Sequence, residues 1–513
     1  MNRKLYLETF GCQMNVLDSE LVFGQLRAHG YEPTDERDDA DVIIYNTCSV
    51  REHAEQKVWS RLGELRARKR DEPHLVIGVI GCMAERDGTN IFKKYPHVDV
   101  LCGPGELDKL PALVHNAVIQ ARQWHAGAIA RRREVALMGA NVRRSSTLSA
   151  AEDHLELLDL SRSVSPGDDV VQSYVRITRG CNKFCTYCVV PYTRGPEVHR
   201  PPQNIIDEVK KLTDAGAREV TLLGQTINHY HYDHGDGRRT TFGRLLYMIH
   251  EAVPGLPRLR FVTSFPRDFD DEALQAMRDC QRICRYLHVP AQSGSDRILK
   301  QMNRGYTSRQ YKDFIERARE YMHDMCIASD FIVGFHTETD EDFAATVELV
   351  RRCRFKNSFI FKYSPRPGTV AIDRFEDDVP EDVKRARNNE LLAVQQAISA
   401  QNNRAMIGKT VEVIVEGESK LVSRQNRSAY PASKVELGWE NRAARAGKPT
   451  APPWVDEDAR RTTQLVGRTR GDQVVCFQGD ASLKGTILDV EITDAQNLTL
   501  FGRLAEASVG GAR

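Results

Sequence analysis

The sequence has no uninterrupted apolar run near the roughly 18 residues that a membrane-spanning helix requires. Its first residues include Arg3 and Lys4 but no apolar segment of the kind that forms the centre of a signal peptide. We therefore expect no membrane association and a cytoplasmic location.

The sequence also lacks an excess of charge of one sign. It contains 72 Lys and Arg against 71 Asp and Glu, a formal net charge of +1. Net charge therefore gives no support to nucleic-acid binding, which would have to depend on local patches.

Hydrophobic residues make up 41% and charged residues 28%, as in globular proteins. A chain of 513 residues predicts about three domains, and since nothing demands a dimer we expect a monomer.

Cysteine, in contrast, occurs 12 times. In a reducing compartment, thiols indicate metal binding or catalysis rather than disulfides. Cys181, Cys185 and Cys188 lie within eight residues of sequence and can hold three irons of a cubic cluster. The fourth iron would then be open to a small molecule, as in a catalytic cluster. Zinc is the alternative, and it would need a fourth ligand such as His199 or a distant cysteine.

Residues 1–120 alternate short apolar strands with amphipathic helices, which predicts a parallel α/β domain. Cys12, Cys48 and Cys82 follow the first, second and third of these strands, and Cys102 follows the fourth. Because parallel strands end at the same edge of a sheet, these cysteines can converge. The expected strands are Lys4–Thr9, Asp41–Asn46, Leu75–Ile80 and Val98–Leu101, and the expected helices are Ser19–His29 and Glu52–Lys69.

Residues 121–169 are polar, and we interpret them as a linker with room for one helix. Residues 170–400 return to strand and helix alternation, and six such units predict a partial barrel with its site at the carboxyl ends of the strands. The expected strands are Ser173–Ile177, Glu219–Leu223, Arg260–Thr263, Tyr286–Val289, Cys326–Val333 and Phe359–Tyr363. Residues 405–505 are β-rich and punctuated by glycine, which predicts a small β-barrel, with an irregular insertion near 423–463.

Three parts of the chain resemble known families. The Cys-x3-Cys-x2-Cys spacing, with Tyr187 just before the last cysteine, resembles the signature of radical S-adenosylmethionine (SAM) enzymes. The runs Thr9 to Asn15, Asn46 to Glu52 and Gly81 to Glu85 resemble the amino-terminal domain of the methylthiotransferases. The last part resembles the TRAM domain, an OB-like RNA-binding barrel.

The resemblance implies two [4Fe-4S] clusters. Cys12, Cys48 and Cys82 would hold one cluster, and the catalytic cluster would be held by Cys181, Cys185 and Cys188. One electron from the reduced catalytic cluster would split SAM into methionine and a 5′-deoxyadenosyl radical, and a donor such as flavodoxin or ferredoxin would supply that electron. The sequence identifies no sulfur donor. The side chains expected to contact SAM are Tyr187, Gln225, Ser264, Gln292 and Asp330.

The runs Phe10 to Glu20 and Phe184 to Gly195 resemble the branch of methylthiotransferases that modifies C2 of N6-dimethylallyladenosine next to the anticodon of tRNA. The branch that modifies a ribosomal-protein aspartate usually carries Pro-Lys where Gln13-Met14 stand here, so we expect the tRNA anticodon stem-loop as substrate. Three alternatives remain. The first is a methylthiotransferase with threonylcarbamoyl-adenosine or the protein aspartate as acceptor, the second is a zinc-containing RNA-binding protein, and the third is a radical SAM enzyme whose first domain is only a scaffold. His199 departs from the family pattern, in which serine is common at that position.

Overall fold

A computed structural model of the chain describes residues 3–49, 52–125, 133–137, 155–164, 168–419 and 462–505. The predicted order of a parallel α/β domain, a partial barrel of six strands and a small β-barrel is confirmed. The insertion expected at 423–463 lies outside the described residues except for its last two, which begin a strand. In the described parts of the chain, every helix is too short or too polar to cross a lipid bilayer.

The first domain is a six-stranded sheet in the order β2-β1-β3-β4-β5-β6, and every pairing in it is parallel. Its strands are β1 (Arg3–Phe10), β2 (Tyr31–Pro33), β3 (Val42–Thr47), β4 (Val76–Gly81), β5 (Val100–Cys102) and β6 (Glu134–Ala136). Its helices are α1 (Gln13–Ala28), α2 (Glu52–Asp71), α3 (Cys82–Asp87), α4 (Asn90–Lys94) and α5 (Leu110–His125).

Helices cover both faces of this sheet, as the apolar strands require. Side chains alternate along each strand, so Val42 and Ile44 pack under α1 and α5 while Ile43 and Tyr45 pack under α2. Leu223 of the second domain joins the cluster under α1 and α5. The first domain therefore shares apolar core with the domain that follows it.

The second domain contains six parallel strands in two three-stranded sheets, β7-β10-β13 and β14-β15-β16. A parallel bridge between Leu259 and Ile283 joins the two sheets, which completes the partial barrel. The described part of helix α6 is 155–160. The strands are β7 (Gln172–Arg176), β8 (Thr178–Arg179), β9 (Val198–His199), β10 (Glu219–Leu223), β11 (His231–Asp233), β12 (Arg239–Thr241), β13 (Arg258–Phe261), β14 (Tyr286–His288), β15 (Cys326–Val333) and β16 (Asn357–Lys362). The remaining helices are α7 (Val190–Thr193), α8 (Pro202–Asp214), α9 (Phe242–Ala252), α10 (Asp271–Asp279), α11 (Asp296–Gln301), α12 (Ser308–Tyr321), α13 (Asp340–Cys353), α14 (Val370–Arg374) and α15 (Glu381–Arg404).

The third domain is a closed barrel in the order β17-β18-β19-β21-β20. It contacts the amino ends of the second domain's strands, where the Arg258 side chain at the start of β13 donates to the Glu412 and Arg468 carbonyls at 3.0 and 2.8 Å. Lys356, just before β16, pairs with Asp472 at 2.7 Å. The barrel therefore lies at the edge opposite the carboxyl ends. Its strands are β17 (Thr410–Glu418), β18 (Thr462–Thr469), β19 (Val474–Asp480), β20 (Ile487–Gln496) and β21 (Thr499–Leu504).

Two elements differ from the sequence expectation. Helix α1 begins at Gln13 rather than Ser19, because the Ser19 hydroxyl lies inside the helix and bonds Thr9 Oγ1 at 2.7 Å instead of capping it. Within the stretch expected to be a linker with room for one helix, residues 155–160 are helical, but Glu134–Ala136 is a strand that extends the first sheet beside β5.

Candidate functional site

Three cysteines of the first domain lie at the carboxyl ends of the adjacent strands β1, β3 and β4. Cys12 precedes α1, Cys48 follows β3, and Cys82 begins α3. A hydrogen bond with Cys48 lowers the pKa of Cys12 to about 6. A Cβ at Gly11 would lie 2.7 Å from Cys48 Cβ, so the loop that carries Cys12 is pressed against Cys48. The structure therefore brings these three residues, which we call the first trio, into one site.

Cys102 follows the neighbouring strand but has a different environment. Its thiol donates to the carbonyl oxygen of Glu106 at 3.2 Å. Burial raises the pKa of Cys102 well above its ordinary value, and the nearby Glu106 carboxylate raises it further. Because the Cys102 thiol is engaged by the Glu106 carbonyl, we interpret Cys102 as a small buried packing residue.

The second trio, Cys181, Cys185 and Cys188, lies on the loop that follows β8. Cys188 donates its backbone N–H to the Cys185 carbonyl at 3.0 Å, which folds the loop back on itself. Cys181 Sγ lies 3.6 Å from Thr226 Oγ1, just beyond the end of β10. A Cβ at Gly180, which has a φ of +63°, would lie 1.9 Å from the Pro196 carbonyl oxygen. Only glycine fits there, so the loop can close tightly before Cys181.

Arg304 is a site residue that the sequence analysis missed. It is 6% exposed, and its Nη1 donates to Cys185 Sγ at 3.3 Å and to Tyr187 Oη at 3.5 Å. The guanidinium also lies 4.6 Å from the ring centre of Phe265. A buried cation beside a cysteine sulfur stabilises negative charge there, which suits thiolates that hold iron. The run Asn303-Arg304-Gly305-Tyr306 between α11 and α12 was the available sequence signal.

The two trios come from different domains that meet at α3 and α7. Helix α3 begins at Cys82, α7 follows Cys188 after one residue, and the two helices are in contact. Arg194, just after α7, lies close enough to Cys82 to form a hydrogen bond with it, and its charge opposes the rise in pKa that burial imposes on Cys82. The first trio therefore faces the loop that carries the second.

A chain of buried ion pairs joins the same two domains. Asp18 of α1 contacts Arg176 and Arg194 of the second domain, at 2.8 Å each. Arg176 also pairs with Asp159 at 2.6 Å. Burial of Asp159 opposes its charged form, but Arg176, Arg179 and Arg200 together hold the pKa of Asp159 well below its ordinary value. The four side chains Asp18, Arg176, Arg194 and Asp159 are each 5% exposed or less.

Three of the residues expected to contact SAM lie just beyond the ends of strands in the second domain. Gln225 follows β10, Ser264 follows β13, and Gln292 follows β14. Asp330 lies inside β15 rather than at its end, and its carboxylate contacts His288 Nε2 at 3.0 Å. Tyr187 packs edge-on against Phe335.

Two features of this region are those of a ligand site. The Ser264 hydroxyl is buried and has no hydrogen-bond partner among the described residues. Thr263 and Gln292 have φ values of +68° and +69°, a strained backbone for residues other than glycine. Such strain is retained where it positions groups for binding or catalysis. A polar ligand would satisfy the Ser264 hydroxyl.

Three family models match the chain. They are Uncharacterized protein family UPF0004 at residues 4–103, the Radical SAM superfamily at 175–350 and the TRAM domain at 455–505. These matches fall on the first, second and third domains in turn.

Curated relatives match over nearly the full length. The tRNA-2-methylthio-N(6)-dimethylallyladenosine synthase of Rhodopirellula baltica is 43% identical over 99% of this chain and 97% of its own. The protein of the same name from Porphyromonas gingivalis is 42% identical over 98% of this chain and 95% of its own. A solved radical SAM methyltransferase from Kitasatospora setae has a TM-score of 0.48 and 16% identity, covering 72% of this chain and 74% of its own.

Proposed function

Since the chain belongs to the family of tRNA-2-methylthio-N(6)-dimethylallyladenosine synthases, we propose that it attaches a methylthio group to C2 of N6-dimethylallyladenosine next to the anticodon in tRNA. The observation that carries this proposal is the meeting of the two cysteine trios at α3 and α7. Insertion of sulfur next to a site of radical generation requires both groups at one place. The names of the relatives favour this acceptor over threonylcarbamoyl-adenosine or a protein aspartate.

The reaction replaces a C2–H bond by a C2–S bond. Adenine C2–H is a very weak acid, so removal of a hydrogen atom is easier than removal of a proton at neutral pH. Cys181, Cys185 and Cys188 would hold a [4Fe-4S] cluster, and the chemistry it would supply there is the one-electron cleavage of SAM that initiates this removal. With a sulfide-level sulfur donor and a second SAM as methyl donor, the atoms balance, and the initiating electron is released when the C–S bond forms.

The second trio fits a cluster with one open iron. Its three sulfurs lie on one tight loop, Thr226 contacts Cys181, and Arg304 donates to Cys185. These contacts orient the sulfurs and offset their negative charge. An exchangeable ligand such as SAM would take the fourth iron.

Tyr187, Gln225, Ser264, Gln292 and Asp330 would position SAM. Ser264 carries the strongest support, since its buried hydroxyl otherwise lacks a partner among the described residues. The Asp330 carboxylate is held by His288, so it would act as an oriented acceptor.

The first trio would hold the second [4Fe-4S] cluster and the sulfur. Its support is the convergence of three thiols at one sheet edge, with the buried Arg194 beside Cys82.

Further parts of the proposal are tRNA contact through the anticodon stem-loop, reduction by a flavodoxin or ferredoxin, a monomeric state and a cytoplasmic location. The sulfur donor is not identified.

The test is nucleoside mass analysis of isopentenylated, unthiolated tRNA after anaerobic incubation with the reconstituted protein, SAM and a reductant. We expect a methylthio nucleoside and 5′-deoxyadenosine from the native chain. Cys181→Ala should abolish both products, whereas Cys12→Ala should abolish only the methylthio nucleoside. Deoxyadenosine without a modified nucleoside from the native chain would exclude this acceptor, and unimpaired methylthiolation by Cys12→Ala would exclude the role of the first trio.

A further inference from the structure

Three histidines from two segments of the chain meet beside the cysteine loop. His199 lies in β9, His229 ends the 3-10 helix Ile227–His229, and His231 begins β11. One potential ligand nitrogen from each lies within 4.8 Å of the other two. The ring centres of His199 and His231 are 4.2 Å apart. Three imidazoles that converge in this way are a chemically distinct group that neither trio includes.

Hydrogen bonds orient two of these rings. His229 Nδ1 lies 2.6 Å from the carboxylate of Glu197, whose side chain is 1% exposed. His231 Nδ1 lies 3.0 Å from the His229 carbonyl, which can only accept, so this nitrogen carries the proton. Both rings are thereby held with Nε2 available as a lone-pair donor. A carboxylate or carbonyl behind the ligating imidazole is the usual support of a metal-bound histidine.

The third ring, His199, also offers a nitrogen that could bind a metal. Its Nδ1 is buried and has no hydrogen-bond partner among the described residues. An imidazole nitrogen that has no hydrogen-bond partner can serve as a metal ligand in the neutral form of the ring. A polar atom buried without a partner is costly, and a bound cation would remove that cost.

We propose that His199, His229 and His231 form a Zn²⁺ site with its fourth position open to water. Three neutral imidazole ligands are a standard donor set for zinc, whose filled d shell imposes no geometry of its own. Tetrahedral zinc with bonds of about 2.0 Å places ligand nitrogens about 3.3 Å apart. Small side-chain rotations close the distance from the observed arrangement, in which the nitrogens lie within 4.8 Å.

The site would connect the cysteine loop to the hairpin of β11 and β12. The backbone N–H of Glu197 donates to Asn182 Oδ1 at 3.2 Å, next to Cys181. On the other side, Thr226 contacts Cys181 and lies three residues before His229. Zinc would therefore link both segments that flank Cys181, although the three histidines are outside both trios.

The experiment measures zinc in the full chain after anaerobic cluster reconstitution, incubation with zinc chloride and dialysis. We expect about one zinc per chain in addition to iron, and its loss in His229→Ala and in His231→Ala. His234→Ala is the matched control, because His234 belongs to the same hairpin but contacts Thr240 Oγ1 at 2.9 Å. Equal zinc in the native chain and the His229→Ala variant would overturn the proposal, as would a native chain without zinc.

X-ray absorption at the zinc edge tests the ligands without any variant. We expect only nitrogen and oxygen neighbours, at about 2.0 Å, with the scattering pattern of imidazole. Sulfur neighbours at about 2.3 Å would place the zinc on cysteines and overturn the site. Glu197→Gln retains the shape of the supporting side chain, and it should weaken zinc binding about 10- to 100-fold. Unchanged zinc affinity in that variant would contradict the role of Glu197 behind His229.

Discussion

Asp18→Asn is expected to loosen the contact between the first two domains. The Asp18 carboxylate is 1% exposed and bridges Arg176 and Arg194 at 2.8 Å each. Arg176 keeps Asp159 as a partner, but Asp18 is the only carboxylate paired with Arg194 among the described residues. Asparagine preserves the shape, yet it leaves the Arg194 guanidinium buried at 5% exposure without a carboxylate partner.

The expected cost follows from that burial. Removing one partner of a buried ion pair typically costs about 3–5 kcal/mol. This corresponds to a loss of roughly two to three and a half powers of ten in the docked population of the domains. Total stabilities are about 5–15 kcal/mol, so the effect is a large fraction of the whole.

Asp168→Asn is the matched control. Asp168 pairs with Arg27 of the same helix α1 at 3.2 Å, but the two side chains are 31% and 34% exposed. Solvent-exposed ion pairs contribute at most about 1 kcal/mol. Substitution at Asp168 should therefore have a small effect, although it removes the same functional group from a contact of the same helix.

Hydrogen exchange in α1 and α7 is the appropriate assay, since a chain of three domains need not unfold in one step. Asp18→Asn should speed exchange in both helices far more than Asp168→Asn does. It should also lower methylthio product relative to 5′-deoxyadenosine, because the trios would separate while the second trio stays intact. Adding Arg194→Gln to Asp18→Asn should recover part of the lost protection, because it removes the buried guanidinium charge that has lost its carboxylate partner. Equal protection in the two single variants would refute the reasoning.

Three further outcomes are expected. Gly180→Ala should destabilise the protein by more than about 1 kcal/mol and reduce the amount of bound iron, because the alanine Cβ would lie 1.9 Å from the Pro196 carbonyl oxygen. Denaturant titration and iron analysis test these two effects. Ser264→Ala should leave the thermal midpoint of unfolding unchanged, since the Ser264 hydroxyl bonds no described protein atom. It should raise the Kd for SAM about 5-fold, a loss of about 1 kcal/mol of binding free energy, which calorimetric titration tests. Burial would raise the pKa of Asp342, but hydrogen bonds, with Arg297 foremost, lower it from 3.8 to about 2. The ionised Asp342 carboxylate therefore stabilises the fold fully above pH 3.8, and this stabilisation is lost as the pH falls towards 2. Urea titrations should show that the difference in unfolding free energy between the native chain and Asp342→Asn narrows over that range.

Local sequence patterns were sufficient to predict most of the strands and helices. The strands Glu219–Leu223 and Cys326–Val333 are confirmed with their predicted bounds. Runs such as Val76–Gly81 are buried along their whole length, and continuous apolar runs are typical of parallel strands with covered faces. Strand Thr462–Thr469 was not predicted, because it directly follows the irregular insertion.

Long-range contacts could not be predicted in the same way. Arg304 meets Cys185 across 119 residues, and Asp18 meets Arg194 across 176. A local pattern can single out an arginine, but it does not identify a partner that lies that far along the chain. Asp159 is buried at the centre of the ion-pair chain, yet it lies in a stretch whose composition is that of a linker. Each of these contacts depends on how whole domains pack.

The same contacts suggest why the domains belong together. Each trio has one buried arginine beside it, Arg194 for the first and Arg304 for the second, and both arginines come from the second domain. Thiolates that bind iron carry negative charge, which is costly in a buried site unless a cation offsets it. Arg194 in turn requires Asp18, which the first domain supplies. A cluster held by the first trio, as proposed above, would thus depend electrostatically on Arg194 of the second domain, and Arg194 pairs with Asp18 of the first, so the interface would itself be part of the site.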